Sequence, residues 1–211
     1  MKDTGFARFV IFVNGSVPLV LLLHDAYYHR LGANPSEFAI RTTGTLALLF
    51  LIISLAVTPL RKLLGQPWMV KFRRMLGLFG FFYAALHLLI YTLLDRSASL
   101  RAVIEDVGKR PFITVGMASF VLLVPLAVTS TQKMIKRLGG KRWNRLHRLV
   151  YIAAAGGALH YYMLVKADTR EPLLFAAALA ALLLYRIANK YLPAYTERKP
   201  VRPQPRRVQG A

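Results

Sequence analysis

Cysteine is absent from the chain. That excludes a disulfide framework, a thiolate zinc site and an iron–sulfur cluster. It also excludes a covalently attached c-type heme, which needs a Cys-x-x-Cys-His segment. Negative charge is scarce: nine Asp and Glu stand against 29 Lys and Arg, for a formal net charge of +20. Acids are missing altogether from the apolar runs 42–60, 75–94 and 111–132, which contain no Lys or Arg either. A proton relay or cation path built on intramembrane carboxylates is therefore not expected.

Those uncharged runs are the dominant positive feature. A bilayer core of roughly 30 Å takes about 20 helical residues to cross. A soluble amphipathic helix would show a polar stripe at every turn, and these runs do not. Six transmembrane helices fit the pattern, at about 7–24, 43–60, 74–94, 111–130, 146–165 and 172–190. The last is the weakest, because only 172–185 is charge-free. Pro18 marks the first, Thr58-Pro59 ends the second, and Pro125 is expected to kink the fourth. No small-residue cleavage site follows the first apolar segment, so it is expected to be retained. The fold class is an all-α membrane bundle, with a six-helix domain at 1–192 and a basic, proline-rich tail at 193–211 that is too polar to bury a core.

Basic residues cluster between helices rather than along them. Arg61, Lys62, Lys71, Arg73 and Arg74 lie between helices two and three. Lys133, Lys136, Arg137, Lys141, Arg142 and Arg145 lie between four and five. Neither loop has an acid, while the segments 95–110 and 166–171 mix both signs. The positive-inside rule then puts the even-numbered loops, the tail and the amino terminus in the cytoplasm. The same rule accounts for the high net charge without nucleic acid as a partner; the basic tail is expected to be disordered or to lie on anionic membrane lipid.

Within the helices the ionisable side chains that stand out are histidines. His87 lies in helix three, His160 in helix five and His147 at the start of helix five; His24 and His29 flank the outer end of helix one. His87 is 13 residues past Arg74 and His160 is 12 past Arg148, so each is about 18–20 Å from the inner boundary at ~1.5 Å per residue. Two histidines at one depth on parallel helices suit two axial imidazoles on one heme iron, which makes His87 and His160 the leading metal ligands. The bland alternative for any one of them is a helix–helix hydrogen bond. His147 sits about 20 Å lower, where helix three offers Arg73 and Arg74 instead of a histidine. Those arginines suit the carboxylates of a heme. The 13-residue gap between His147 and His160 is about 220° around an ideal helix, so they do not share a face. A distortion near Gly156-Gly157, a single ligand, or two hemes rotated about the bundle axis would each reconcile this. Gly77 and Gly80 in helix three are expected to serve close packing.

Several stretches carry a family resemblance. Arg73-Arg74-Met75-Leu76-Gly77-Leu78 leading to Leu86-His87-Leu88 resembles the third helix of the MsrQ (YedZ) family. Thr129-Ser130-Thr131-Gln132, Leu138-Gly139 and the run from Lys141-Arg142-Trp143-Asn144 through Leu146-His147-Arg148 to Tyr151 resemble its loop and fifth helix; Thr58-Pro59-Leu60 and Arg110-Pro111-Phe112 are further landmarks. The likeness covers roughly 40–165. The family consists of heme-binding inner-membrane subunits of a bacterial methionine sulfoxide reductase system and is grouped with the ferric reductase-like transmembrane domains. The resemblance implies heme b at His87, His147 and His160, electrons from quinol or a flavin reductase, and a periplasmic molybdopterin partner, MsrP. FMN is implied by the resemblance alone. The bis-heme members of the wider superfamily carry two histidines on helix three; here the second position is Arg73 or Arg74, which leaves a second heme with one evident ligand. Catalysis on the sulfoxide is expected on the partner subunit. The stretch after Leu192 is too short for a nucleotide-binding domain, so a separate donor is expected. The competing expectations are a ferric-chelate reductase and a non-redox scaffold or transporter.

Overall fold

A computed structural model describes residues 4–191, without the side chain of Lys190. The tail expected at 193–211 lies outside the described residues. Among the described residues nine α-helices follow in order: α1 Thr4–Tyr27, α2 Pro35–Leu63, α3 Arg73–Ile90, α4 Leu100–Lys109, α5 Pro111–Val128, α6 Gln132–Leu138, α7 Gly140–Leu146, α8 Leu149–Leu164 and α9 Arg170–Tyr191. A 3₁₀ turn, Pro67–Phe72, leads into α3, and a π-helical turn, Tyr91–Asp95, extends it. The described residues contain no strand. This is an all-α membrane protein. Among the described residues five helices are long and apolar enough to cross a bilayer: Thr4–Tyr27, Pro35–Leu63, the continuous Pro67–Asp95, Pro111–Val128 and Arg170–Asn189. The expected fifth helix is α8, 16 residues long, or about 24 Å.

Local chemistry explains the boundaries. Asn34 caps α2 by accepting from the Glu37 amide at 3.3 Å, and Pro35 follows at the first turn, where its missing N–H costs nothing. Pro111 opens α5 in the same way. Ser99 caps α4 and Thr131 caps α6 through their hydroxyls. Three helices fall inside stretches expected as loops. Of these, α4 is amphipathic, with Val103 buried and Arg101, Glu105 and Lys109 on its exposed side.

The central element is α2. It buries residues along most of its length, from Ala39 and Thr43 to Val57 and Pro59, and leaves one stripe, with Phe38, Leu49, Ile53 and Leu60, exposed. Against one side pack α1 and α3, where Phe50 stacks on Phe79 and on Tyr83 at 5.2 and 5.5 Å between ring centres. Against another pack α8 and α9, through Leu48, Ile52, Leu55, Ala154, Ala158 and Leu179. Apolar tails of lipid give helices no hydrophobic reason to associate, so close approach by small residues does the work. Ala153, Ala154 and Ala158 make the buried face of α8. A Cβ at Gly80 would lie 2.9 Å from Leu51, so this glycine sets how closely α2 meets α3, as expected. The outward surfaces are apolar: Phe6, Phe9, Val20, Leu174 and Leu184 are each more than 60% exposed, a surface suited to lipid.

Candidate functional site

Two antiparallel pairs, α2 with α3 and α5 with α8, form a four-helix core. Ile40 near the start of α2 meets His87 late in α3, and Phe112 at the start of α5 meets His160 late in α8. Phe81 on α3 stacks on Phe120 of α5 at 5.8 Å, joining the pairs. Two cavities lie between them. One, of about 360 Å³, is lined by His87, His160, Gly44, Gly116, Phe112 and Ala84 among others. The second, of about 530 Å³, is lined by His147, Arg73, Arg74, Arg148, Trp143 and Tyr151. Leu51 and Leu123 border both, so the cavities are stacked along the bundle with these two side chains between them.

The first cavity brings together the two histidines expected to form a pair. Their ring centres are 6.2 Å apart and their planes are inclined by 82°. A metal–imidazole bond is ~2 Å, and the nitrogen lies ~1.1 Å from the ring centre, so two axial imidazoles on one metal have centres about 6 Å apart. The spacing fits an iron between them. Each ring is anchored by its other nitrogen: His87 Nδ1 is 2.9 Å from the Ile40 carbonyl, and His160 Nδ1 is 2.6 Å from the Phe112 carbonyl. A carbonyl only accepts, so Nδ1 carries the hydrogen and Nε2 is left with the lone pair, the tautomer a metal needs. The walls of Leu48, Leu51, Ala84 and Phe120 are apolar, as a porphyrin face requires. The mouth is polar. Asp106 accepts from the Tyr91 hydroxyl at 2.5 Å and from Arg96 Nε at 2.7 Å, with Arg110 Nε 3.3 Å away. Arg41 pairs with Glu37 at 2.6 Å beside it. The donor set and the spacing fit heme; among the described residues no cluster of three His, Asp or Glu offers a different metal site.

The second cavity holds His147, Arg73 and Arg74 together, as expected, with Arg148 added and no carboxylate in its lining. His147 is stacked on Trp143 at 3.8 Å between centres. Its Nδ1 is 3.1 Å from the Trp143 carbonyl, and its Nε2 is 3.5 Å from Ser130 Oγ. The Trp143 indole N–H donates to the Thr129 carbonyl at 2.9 Å, which fixes the platform under the imidazole. The angle of about 220° counted between His147 and His160 on one ideal helix does not apply, because the helix is broken at residues 147 and 148. There α7 ends and α8 begins, and the chain does not follow one ideal helix. The helix runs without interruption through Gly156-Gly157, so a distortion at that glycine pair, one of the three ways of reconciling the angle, is not what the structure has; the break lies about nine residues earlier.

His24 and His29 lie away from both cavities. His24 is exposed beside Asp25 at 3.1 Å and rests on Tyr28. Three features of the bundle are not among those singled out from the sequence. The carbonyls that orient the histidines are backbone groups brought in by tertiary packing, with no signature of their own. Gly44 and Gly116 look like ordinary helix glycines. Arg186 in α9 has a signal, a cation within an apolar transmembrane run. It reaches across to the Leu55 carbonyl and the Tyr151 hydroxyl, both at 2.6 Å, and its Nε has no hydrogen-bond partner among the described residues.

A membrane helical core with two facing histidines, each oriented by a backbone carbonyl, fits the class of redox membrane proteins that hold a metal porphyrin between helices. The family described as ferric reductase like transmembrane component matches residues 43–158. Similar proteins include the protein-methionine-sulfoxide reductase heme-binding subunits MsrQ of Rhodospirillum rubrum, 50% identical over 200 residues and covering 94% of each chain, and of Ralstonia nicotianae, 48% identical over 188 residues and covering 88% of this chain and 87% of the relative. That of Herminiimonas arsenicoxydans is 49% identical over 180 residues, 84% of this chain and 83% of the relative. This chain belongs to the MsrQ family of ferric reductase-like transmembrane components, and its role is membrane redox and electron transfer.

Proposed function

We propose that the chain binds heme b with His87 and His160 as axial ligands and serves as the membrane conduit that delivers electrons to a methionine sulfoxide reductase subunit. The observation that carries this reading is the 6.2 Å spacing of two imidazoles whose Nδ1 atoms are both committed to backbone carbonyls. When bound, heme supplies a one-electron couple in a site that needs no proton relay. The chain's own residues do the rest. Ile40 and Phe112 orient the ligands, the apolar walls exclude water, and Leu51 and Leu123 divide this cavity from the next. In the second cavity His147 is offered as the ligand of another heme, with Arg73 and Arg74 placed to pair with its carboxylates. The acid-free lining of that cavity supports an anionic occupant. No flavin motif supports FMN.

Six spans with both termini in the cytoplasm of a bacterial inner membrane put the His147 cavity on the inner side and the His87–His160 cavity on the outer. Quinol or a flavin reductase then donates from the inner side. A periplasmic molybdopterin subunit of the MsrP type accepts on the outer side, near α4 and residues 166–171, and carries out the sulfoxide chemistry. The relatives' designation as heme-binding subunits of a protein-methionine-sulfoxide reductase supports this partner. The test is heme content by pyridine hemochrome in His87→Ala, His160→Ala and His147→Ala. Each of the first two variants is expected to lose the same heme, and the third a different one. Full heme content in both His87→Ala and His160→Ala would overturn the assignment.

A further inference from the structure

The two histidines are held by the same device, repeated on two helix pairs. His87 bonds to the carbonyl of Ile40, and the residue four further along α2 is Gly44. His160 bonds to the carbonyl of Phe112, and the residue four further along α5 is Gly116. A Cβ at Gly44 would stand 2.9 Å from His87 Nδ1 and 3.1 Å from its Cε1. A Cβ at Gly116 would stand 2.8 Å from His160 Nδ1 and 3.0 Å from its Cε1. Helical side chains lean toward the amino terminus and cover the preceding turn, so the residue at i+4 normally screens the carbonyl at i from a neighbouring helix. Glycine leaves that carbonyl open on its second lone pair.

We propose that Gly44 and Gly116 are positioning residues for the metal ligands: their missing side chains admit the His87 and His160 rings to the Ile40 and Phe112 carbonyls, and so set ring tautomer, ring plane and ligand basicity. This rests on the proposed heme ligation by His87 and His160. Neither glycine touches the iron. Each acts through an imidazole, and the 82° between the planes is the joint outcome of the two anchors. An Nδ1–H hydrogen bond to a carbonyl makes Nε2 a stronger donor and favours the ferric state. Alanine at either glycine is therefore expected to push the ring off its carbonyl, raise the midpoint potential, and weaken heme retention by ~10–100-fold, the usual cost of losing a ligand's outer partner.

The experiment combines electron paramagnetic resonance of the ferric protein with redox titration and heme retention, in wild type, Gly44→Ala, Gly116→Ala and Gly108→Ala. At Gly108 an added methyl group would meet nothing within 4 Å, so that variant serves as the control. Perpendicular ligand planes give a highly anisotropic low-spin signal, and this is expected in wild type and Gly108→Ala. In Gly44→Ala and Gly116→Ala that signal is expected to move toward the ordinary rhombic type as the potential rises. Wild-type spectra and potentials in both glycine variants would overturn the proposal. So would a rhombic signal in wild type itself, a result that does not depend on either variant folding. Failure of the underlying ligation looks different: heme content would then survive His87→Ala and His160→Ala, whatever the glycine variants do.

Discussion

Asp106 ties the amphipathic helix α4 to the end of α3 at the mouth of the histidine-pair cavity, and its removal has a calculable cost. The Asp106 side chain is 11% exposed and its partner Arg96 23%. Asp106→Ala deletes the acceptor for the Tyr91 hydroxyl and for Arg96 Nε, each a charge-assisted bond of roughly 1.5–3 kcal/mol. The third contact, to Arg110, is half exposed and contributes about 0–1 kcal/mol. Arg96 keeps Asp95 at 3.1 Å, so the guanidinium is not left without a counter-ion and part of the loss is recovered. The net is about 3 kcal/mol, or a fall in Tm of roughly 6–12 °C for a chain of this size. Asp106→Asn keeps a carbonyl oxygen of the same shape but loses the charge, and is expected to cost about half as much. Thermal unfolding of the detergent-purified protein, followed by circular dichroism in one fixed detergent, measures both. A Tm for Asp106→Ala within about 1 °C of wild type, or equal losses in the two variants, would refute this account of the knot.

Other predictions follow from the same packing. Tyr83 is fully buried and donates to the Gly15 carbonyl at 2.6 Å, so Tyr83→Phe is expected to lose about 1 kcal/mol and to expose α1 to limited proteolysis first. Gly15→Val should have a larger effect on the same proteolysis assay, because a Cβ there already lies 2.7 Å from the Phe79 ring. Trp143→Phe removes the donor to Thr129 and loosens the surface under His147; it should alter the spectrum of the second heme while leaving that of the His87–His160 heme unchanged.

The helices are legible because charges cannot be left in hydrocarbon: the uncharged runs 42–60, 75–94 and 111–132 fall within α2, the Pro67–Asp95 segment and the stretch from α5 to the start of α6. Extra length outside those runs is not legible. The first turns of α2 contain Glu37 and Arg41, an i,i+4 pair that supports helix without being apolar. The helices α4, α6 and α7 lie in charged segments that a count of uncharged runs passes over; α4 carries a signal of its own, apolar residues at Leu100, Val103, Ile104 and Val107 with helical spacing. The match in depth of His87 and His160 can be counted from the flanking arginines, and the ring spacing agrees with it. The carbonyl anchors cannot be counted, since they join residues 47 and 48 positions apart. The phase of His147 is hidden for a plain reason: counting at 100° per residue presumes one ideal helix across 147 and 148, where the chain turns between α7 and α8.

The central claim is that two histidines on two helix pairs grip one heme. The most direct measurement is a reduced-minus-oxidised visible spectrum with hemochrome quantification on the purified wild type beside His87→Ala and His160→Ala. The account predicts a low-spin b-type spectrum in wild type and loss of the same component in both variants. A wild type without heme from cells supplied with precursor, or two variants that keep the full spectrum, would contradict it.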